Sequence, residues 1–239
     1  MADTARTALI TGGTGGIGGA VTETLLARGW RCVVPFALAR EAETLETRIA
    51  DDHERAQLQL LEADLFDEHA VASVVAEADH ASAPLAAVVN LVGGFDAAGR
   101  VHETPVQRFE QQLRVNLRAT YLVSAAALPG MLERGGGSIV CVSSRAALQP
   151  FPGAAGYVTA KAAVLAFVAV LAAEYTGDGI RANAVLPSIV DTPANRASQP
   201  DADHSRWVQP DEVANVVAFL CSDHSNAVSG GQIPIYGRA

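Results

Sequence analysis

Cysteine is scarce in this chain. Cys32, Cys141 and Cys221 are odd in number, far apart and without C-x-x-C spacing. That excludes a disulfide framework and a zinc site, and it makes a reducing cytoplasm the expected compartment. Each cysteine lies in apolar sequence ("RCVV", "IVCVSS", "AFLCSD"), as a small buried hydrophobe does. Basic residues are also in deficit: 17 Lys and Arg face 26 Asp and Glu, a formal net charge of −9, with no basic run. Such a surface repels phosphate backbones, so no nucleic-acid partner is expected. The six histidines are scattered and predict no metal; only His102 and His204 fall where a cleft is expected. Long hydrophobic runs are missing too. "MADTARTALIT" has no signal-peptide core, and the longest apolar run, Ala162 to Ala173, is too short to cross a bilayer. The expectation is a soluble protein with no membrane partner.

What is present suits one domain spanning 1–239. The 239 residues are 49% apolar and 18% charged, enough for a well-buried core. Seven β-branched and aliphatic segments read as strands: 7–11, 31–36, 58–63, 86–92, 138–144, 181–186 and 231–236. Several are nearly continuous apolar runs, as parallel strands covered on both faces require. Helical period occupies 17–28, 41–56, 67–80, 105–133, 154–175 and 210–221, the last opening on Pro210, Asp211 and Glu212. Alternation of this kind predicts an α/β fold, a doubly wound parallel sheet with helices on both faces. Ligands of such sheets sit outside the carboxyl ends of the strands. The polar, Pro-punctuated stretch at about 188–209 reads as a lid over a substrate.

Three segments at strand ends carry chemistry. "TGGTGGIGG" (11–19) holds six glycines in nine positions and fits both G-x-G-x-x-G and G-x-x-x-G-x-G. It places bare backbone N–H groups at a helix N-terminus, where a pyrophosphate docks. "YVTAK" puts Tyr157 and Lys161 four apart on one helix face, about 6 Å apart at Cβ. A phenol titrates near 10; bringing it to neutral pH takes roughly 4 kcal/mol, which an adjacent ammonium helps supply. Ser144 closes the strand "SIVCVSS" and offers a hydroxyl for a substrate oxygen beside the tyrosine, with Ser143 as the competing candidate.

In order and spacing these segments resemble the short-chain dehydrogenase/reductase family over essentially the full length. "TGGTGGIG" looks like its T-G-x-x-x-G-x-G turn, and Ser144, thirteen residues before Tyr157, matches its serine. "YVTAK" matches Y-x-x-x-K, and Asn116 in "RVNLRA" matches the helix asparagine of a proton relay through Lys161. The resemblance implies a Rossmann-type domain, hydride transfer between a nicotinamide and a ketone or secondary alcohol, and a homotetramer (or homodimer). It selects Gly12, Gly16 and Gly18 as the glycine set, flanked by Thr14, Gly15 and Ile17, and leaves Gly13 and Gly15 as loop positions. It further implies cofactor contacts from Asp64 and Leu65 at the adenine, from Asn90 and Gly93 in "NLVG", and from Pro187, Val190 and Thr192 in "LPSIVDT". Tyr157 and Lys161 would also touch the cofactor.

The chain departs from the family pattern in places. Leu91 and Val92 interrupt N-N-A-G, and Ser188 replaces a glycine. At the end of the second strand, Phe36 stands where NAD-preferring members carry Asp, while Ala37 and Gly15 stand where NADP-preferring members carry a base. With no carboxylate at that position and Arg40 nearby, the expectation is NADP or NAD, leaning to NADP. Phe95, Gln149, Phe151 and Trp207 are the expected substrate contacts. "VGGF" and the lid resemble dihydropteridine reductases, a branch that characteristically lacks the serine, so pterin reduction ranks below carbonyl reduction. A non-catalytic dinucleotide sensor ranks lower still. "KAAVLAFVAVLAAEY" is apolar nearly all round, which predicts self-association.

Overall fold

The computed structural model describes residues 6–80 and 82–238. Seven strands form one sheet: β1 (Thr7–Thr11), β2 (Arg31–Phe36), β3 (Leu58–Glu62), β4 (Leu85–Asn90), β5 (Gly137–Val142), β6 (Ile180–Pro187) and β7 (Gln232–Ile235). Their spatial order is β3-β2-β1-β4-β5-β6-β7, with every pairing parallel. The order reverses between β1 and β4, which sets the binding crevice at their carboxyl ends.

Strand side chains alternate between two apolar layers, as the two-residue period demands. On one face Ala8, Ile10 and Val140 meet α1 (Gly16–Ala27) and α9 (Pro210–Cys221) through Val21, Leu25, Val213 and Val217. On the other, Leu9, Ile139 and Cys141 meet α4 (Glu68–Ala78), α6 (Ala119–Arg134) and α7 (Ala155–Tyr175) through Val74, Val123 and Val164. The helix α9 starts where Pro210 predicts, and Glu212 accepts a hydrogen bond from the Gln209 N–H at 2.8 Å.

Three sequence expectations need correction. The helix over 41–56 is two helices, α2 (Ala39–Arg48) and α3 (Asp52–Ala56). Ile49 turns extended into the core, and Asp51 restarts the helix by accepting from the His53 and Glu54 N–H groups. The segment over 105–133 is α5 (Val106–Leu113) joined to α6 through a π-turn at Arg114–Arg118. Asn116 lies in that turn, and its side chain donates to the Gln112 carbonyl at 3.1 Å, the acceptor a regular helix turn uses. Finally, α7 keeps nearly the bounds expected for it, but by length and composition it is apolar enough to span a membrane, which the run Ala162–Ala173 did not suggest. Here one face of it, including Ala160, Val164 and Val168, lies buried against the sheet.

The lid is ordered. It carries α8 (Pro193–Ser198), capped by the Thr192 hydroxyl, and a short turn at His204–Arg206. A parallel bridge between Val190 and Val208 ties its two ends together.

Candidate active site

The turn after β1 is held close to the neighbouring chain. Gly12 sits at φ +67, and a Cβ there would lie 3.0 Å from the Leu91 and Val92 backbone. A Cβ on Gly18 would fall 1.9 Å from the Gly12 carbonyl oxygen, so the turn and α1 can close only over glycine. Gly13 is no free loop position: a Cβ there would meet Val34 at 2.8 Å. The first turn of α1 carries no acidic side chain, which leaves its positive dipole end available to an anion. Beside this turn opens a cavity of about 660 Å³, lined by Gly12, Thr14, Phe36, Glu41, Asp64 and Leu65 among others. The residues present therefore fit the pyrophosphate and adenosine of a nicotinamide dinucleotide.

The reacting end lies across the β1–β4 crevice. A cavity of about 230 Å³ is lined by Ile17, Gly93, Asn116, Ser144, Tyr157, Lys161, Pro187 and Val190. It adjoins a larger one of about 480 Å³ that shares Phe95, Ser144, Tyr157, Ser188 and Asn195 with it and adds Arg145, Gln149 and Phe151. Ser144 and Ser143 now separate. Ser143 is buried and donates to the Lys161 carbonyl at 2.7 Å, so it braces α7 against β5. Ser144 lines both cavities, and its hydroxyl accepts from the Ala146 N–H at 3.2 Å.

Tyr157 is largely enclosed. Burial pushes its phenol above the ordinary value, and the Ser144 hydroxyl pulls the other way. Lys161 Nζ sits 6.0 Å from the Tyr157 ring centroid and donates to the Val142 carbonyl at 3.1 Å. Burial pushes Lys161 itself down to about 8. It is the only lysine in the chain; the other 16 basic residues are arginines. A guanidinium stays charged at any accessible pH, whereas a buried ammonium titrates.

Asn116 is locked by four bonds: Nδ2 donates to the Gly94 carbonyl at 2.9 Å, the Gln112 carbonyl and the Gln112 side chain, and Oδ1 accepts from the Gly94 N–H at 3.1 Å. A Cβ on Gly93 would lie 2.7 Å from Asn116 Oδ1 and 3.1 Å from Lys161 Nζ. The bare backbone at 93 is what lets these two polar groups face one another. The Phe95 ring stands edge-on to Tyr157 with centroids 5.1 Å apart, and Phe151 lies 6.2 Å from Phe95.

The structure brings together all four predicted catalytic residues, and Phe95, Gln149 and Phe151 beside them. Other predicted contacts lie elsewhere. Asn90 is buried and donates to Ser124 at 3.1 Å rather than lining a cavity. Thr192 packs its methyl over Gly16, and its hydroxyl caps α8. Trp207 is buried against His204, with ring centroids 4.3 Å apart, away from the substrate cavity. Arg40 is exposed and lines none of these cavities; Glu41, the next residue, lines the adenosine cavity. Sequence reasoning missed Glu41 because the loop was expected over 36–40 and the helix only from 41. The departures at Leu91 and Val92 leave the turn intact, with the Leu91 N–H on the Thr11 carbonyl at 3.1 Å. Ser188 makes two bonds of its own to the β7 end, at Ile235 and Tyr236.

The chain is similar to known proteins over nearly its whole length. A family model described as enoyl-(acyl carrier protein) reductase matches residues 12–237. The 2-(R)-hydroxypropyl-CoM dehydrogenase of Xanthobacter autotrophicus is 37% identical over 246 residues, covering 97% of each chain. Acetoacetyl-CoA reductase of Allochromatium vinosum is 31% identical over 246 residues, covering 98% of each. The solved structure of a short chain dehydrogenase/reductase family protein matches with a TM-score of 0.88 at 33% identity, over 99% of this chain and 98% of that one.

Proposed function

From its membership of the short-chain dehydrogenase/reductase family, to which the chain belongs as an NAD(P)-dependent oxidoreductase of alcohol and ketone groups, we propose a specific division of labour at the site. The substrate is a ketone or secondary alcohol, such as a 3-oxoacyl or other small carbonyl compound, seated in the cavity walled by Phe95 and Phe151. Tyr157 gives its phenolic proton to the carbonyl oxygen in reduction and takes it back in oxidation. A phenol held above its ordinary pKa by burial is in the protonated form that reduction needs. Ser144 steadies the same oxygen. Lys161 and Asn116, facing each other past Gly93, carry the proton path away from the tyrosine. When bound, the nicotinamide supplies or accepts the hydride.

The observation that carries this reading is the convergence of Ser144, Tyr157, Lys161 and Asn116 on one cavity from the turn after β5, from α7 and from the π-turn. It favours an enzyme over a dinucleotide sensor, and Ser144 favours a carbonyl over a pterin substrate. Tyr157→Phe tests it: ketone reduction should fall by about 10² or more while dinucleotide binding survives. Near-normal kcat in that variant refutes the assignment.

We infer a cytoplasmic protein, in keeping with its three buried free thiols. It is also read as self-associating, to a tetramer as the family resemblance implies, through the outer face of α6 and α7. There Tyr121 and Val170 are exposed and Tyr121 lies against Phe167, with ring centroids 5.7 Å apart. Light scattering on the eluting protein checks the mass.

A further inference from the structure

The cavity beside the glycine turn has a one-signed electrostatic lining. Its charged residues are Glu41, Glu62 and Asp64, and no Lys or Arg lines it. Asp64 is partly occupied, since its carboxylate accepts from the Phe66 N–H at 2.9 Å. Glu41 is different. It lies in the first turn of α2 and is half-buried, and its Oε2 accepts from the Thr14 hydroxyl at 3.2 Å. That bond draws the carboxylate from the far side of the β2–α2 corner onto the glycine turn itself. The corner between them includes Phe36 and Ala37, whose side chains offer a phosphate no charge and no donor. Arg40 is exposed and outside the lining, and Arg48 is paired with Glu23 at 2.7 Å.

We propose that Glu41 is the residue that selects the dinucleotide, reading the free adenosine ribose hydroxyls and rejecting a 2′-phosphate, so that the enzyme prefers NAD(H) to NADP(H). This rests on the dinucleotide reading above and reverses the lean that the sequence suggested. The physical reason is simple. A carboxylate has only acceptor lone pairs, which suit two ribose hydroxyl donors. A 2′-phosphate brings about −1.5 to −2 charges and three more acceptors to the same place. With two further carboxylates in the lining and no cation to offset them, the repulsion is not compensated. The acid usually found at the end of the second strand is thus supplied from five residues later, because α2 folds back over the strand end and Thr14 holds its side chain there.

Fluorescence titration of the purified protein with NADH and NADPH tests this without turnover. The expected result is a Kd for NADH at least about tenfold below that for NADPH, a difference of about 1.4 kcal/mol. Glu41→Gln should weaken NADH and tighten NADPH, collapsing the ratio toward one. Thr14→Val, which releases the carboxylate but keeps its charge, should narrow the ratio less. Equal or tighter NADPH binding by the unaltered protein overturns the proposal. So does an unchanged ratio in Glu41→Gln, or a selective loss of NADPH affinity in Arg40→Ala. Failure of both dinucleotides to bind would instead overturn the oxidoreductase reading on which it stands.

Discussion

Lys161 Nζ donates to the carbonyl oxygen of Val142 at 3.1 Å, so the chain's single lysine reaches from the start of α7 to the end of β5. Two residues beyond Val142 is Ser144, and one helical turn before Lys161 is Tyr157. The bond therefore sets the distance between the strand and the helix that carry the two hydroxyls. It also fixes an ammonium in a buried place.

Holding that ammonium destabilises the fold in a pH-dependent way. Burial moves Lys161 from 10.5 down to about 8, so between those values the unfolded chain binds the extra proton and stability rises with pH. Below about 8 the full cost, up to about 3 kcal/mol, is present. Lys161→Met should be inactive yet melt higher than the unaltered protein at pH 7, and the gap should close by pH 10.5. A gap in Tm that does not vary with pH would contradict the burial cost.

The glycines of the turn are not equivalent. A Cβ on Gly18 meets the Gly12 oxygen at 1.9 Å, whereas on Gly15 the nearest atom is at 3.4 Å and φ is an ordinary −75°. Gly18→Ala should lower stability by about 1–3 kcal/mol and weaken dinucleotide binding. Gly15→Ala should stay within about 0.5 kcal/mol of the parent. Chemical denaturation of the pair decides the matter; equal effects would mean the turn is looser than described.

Phe95 is 62% exposed while its edge rests on Tyr157. So much exposed ring contributes little to the fold, and its surface is available to a substrate. Phe95→Ala should leave Tm nearly unchanged and raise KM for apolar ketones by roughly tenfold, the effect of losing a contact worth about 1–1.5 kcal/mol. A fall in kcat at constant KM would assign Phe95 to the orientation of Tyr157 instead.

Within the lid, charge ties the segment ahead of α8 to the helix itself. Arg196 donates to both Asp191 oxygens, at 2.7 Å through Nη2, and this holds the Asp191 carboxyl down at about 2. A folded pKa this far below the ordinary value means the ion pair is lost only as pH falls through about 2, so KM should not drift between pH 5 and 8 on its account. Asp191→Asn should speed amide exchange at Asn195 and Arg196. Unchanged exchange would show that the Thr192 cap and the Val190–Val208 bridge hold the segment without the ion pair.

Much of this was legible in the sequence. All seven strands, the long helix bearing Tyr157 and Lys161, and the start of α9 at Pro210 follow from local period and punctuation, which act within a turn or two of chain. That Ser144, Asn116 and Tyr157 would share one crevice was implied by the family resemblance of their motifs. What local pattern could not carry was the direction of side chains across elements. Ser143 and Ser144 are adjacent, chemically alike and both at the smaller cavity, and only the packing of α7 on β5 commits the Ser143 hydroxyl to the Lys161 carbonyl while Ser144 also reaches the larger cavity. Trp207 looked like a cleft aromatic until the lid folded it inward.

The sequence by itself determined the sheet, its alternation with helices and the set of reactive groups, because period and residue chemistry are local properties. Tertiary structure alone decided which charge lines the cavity beside the glycine turn. Arg40 and Glu41 are neighbours of opposite charge, and no local rule chooses between them. The path of α2 and one bond from Thr14, 27 residues away in the chain, bring Glu41 in and leave Arg40 in solvent.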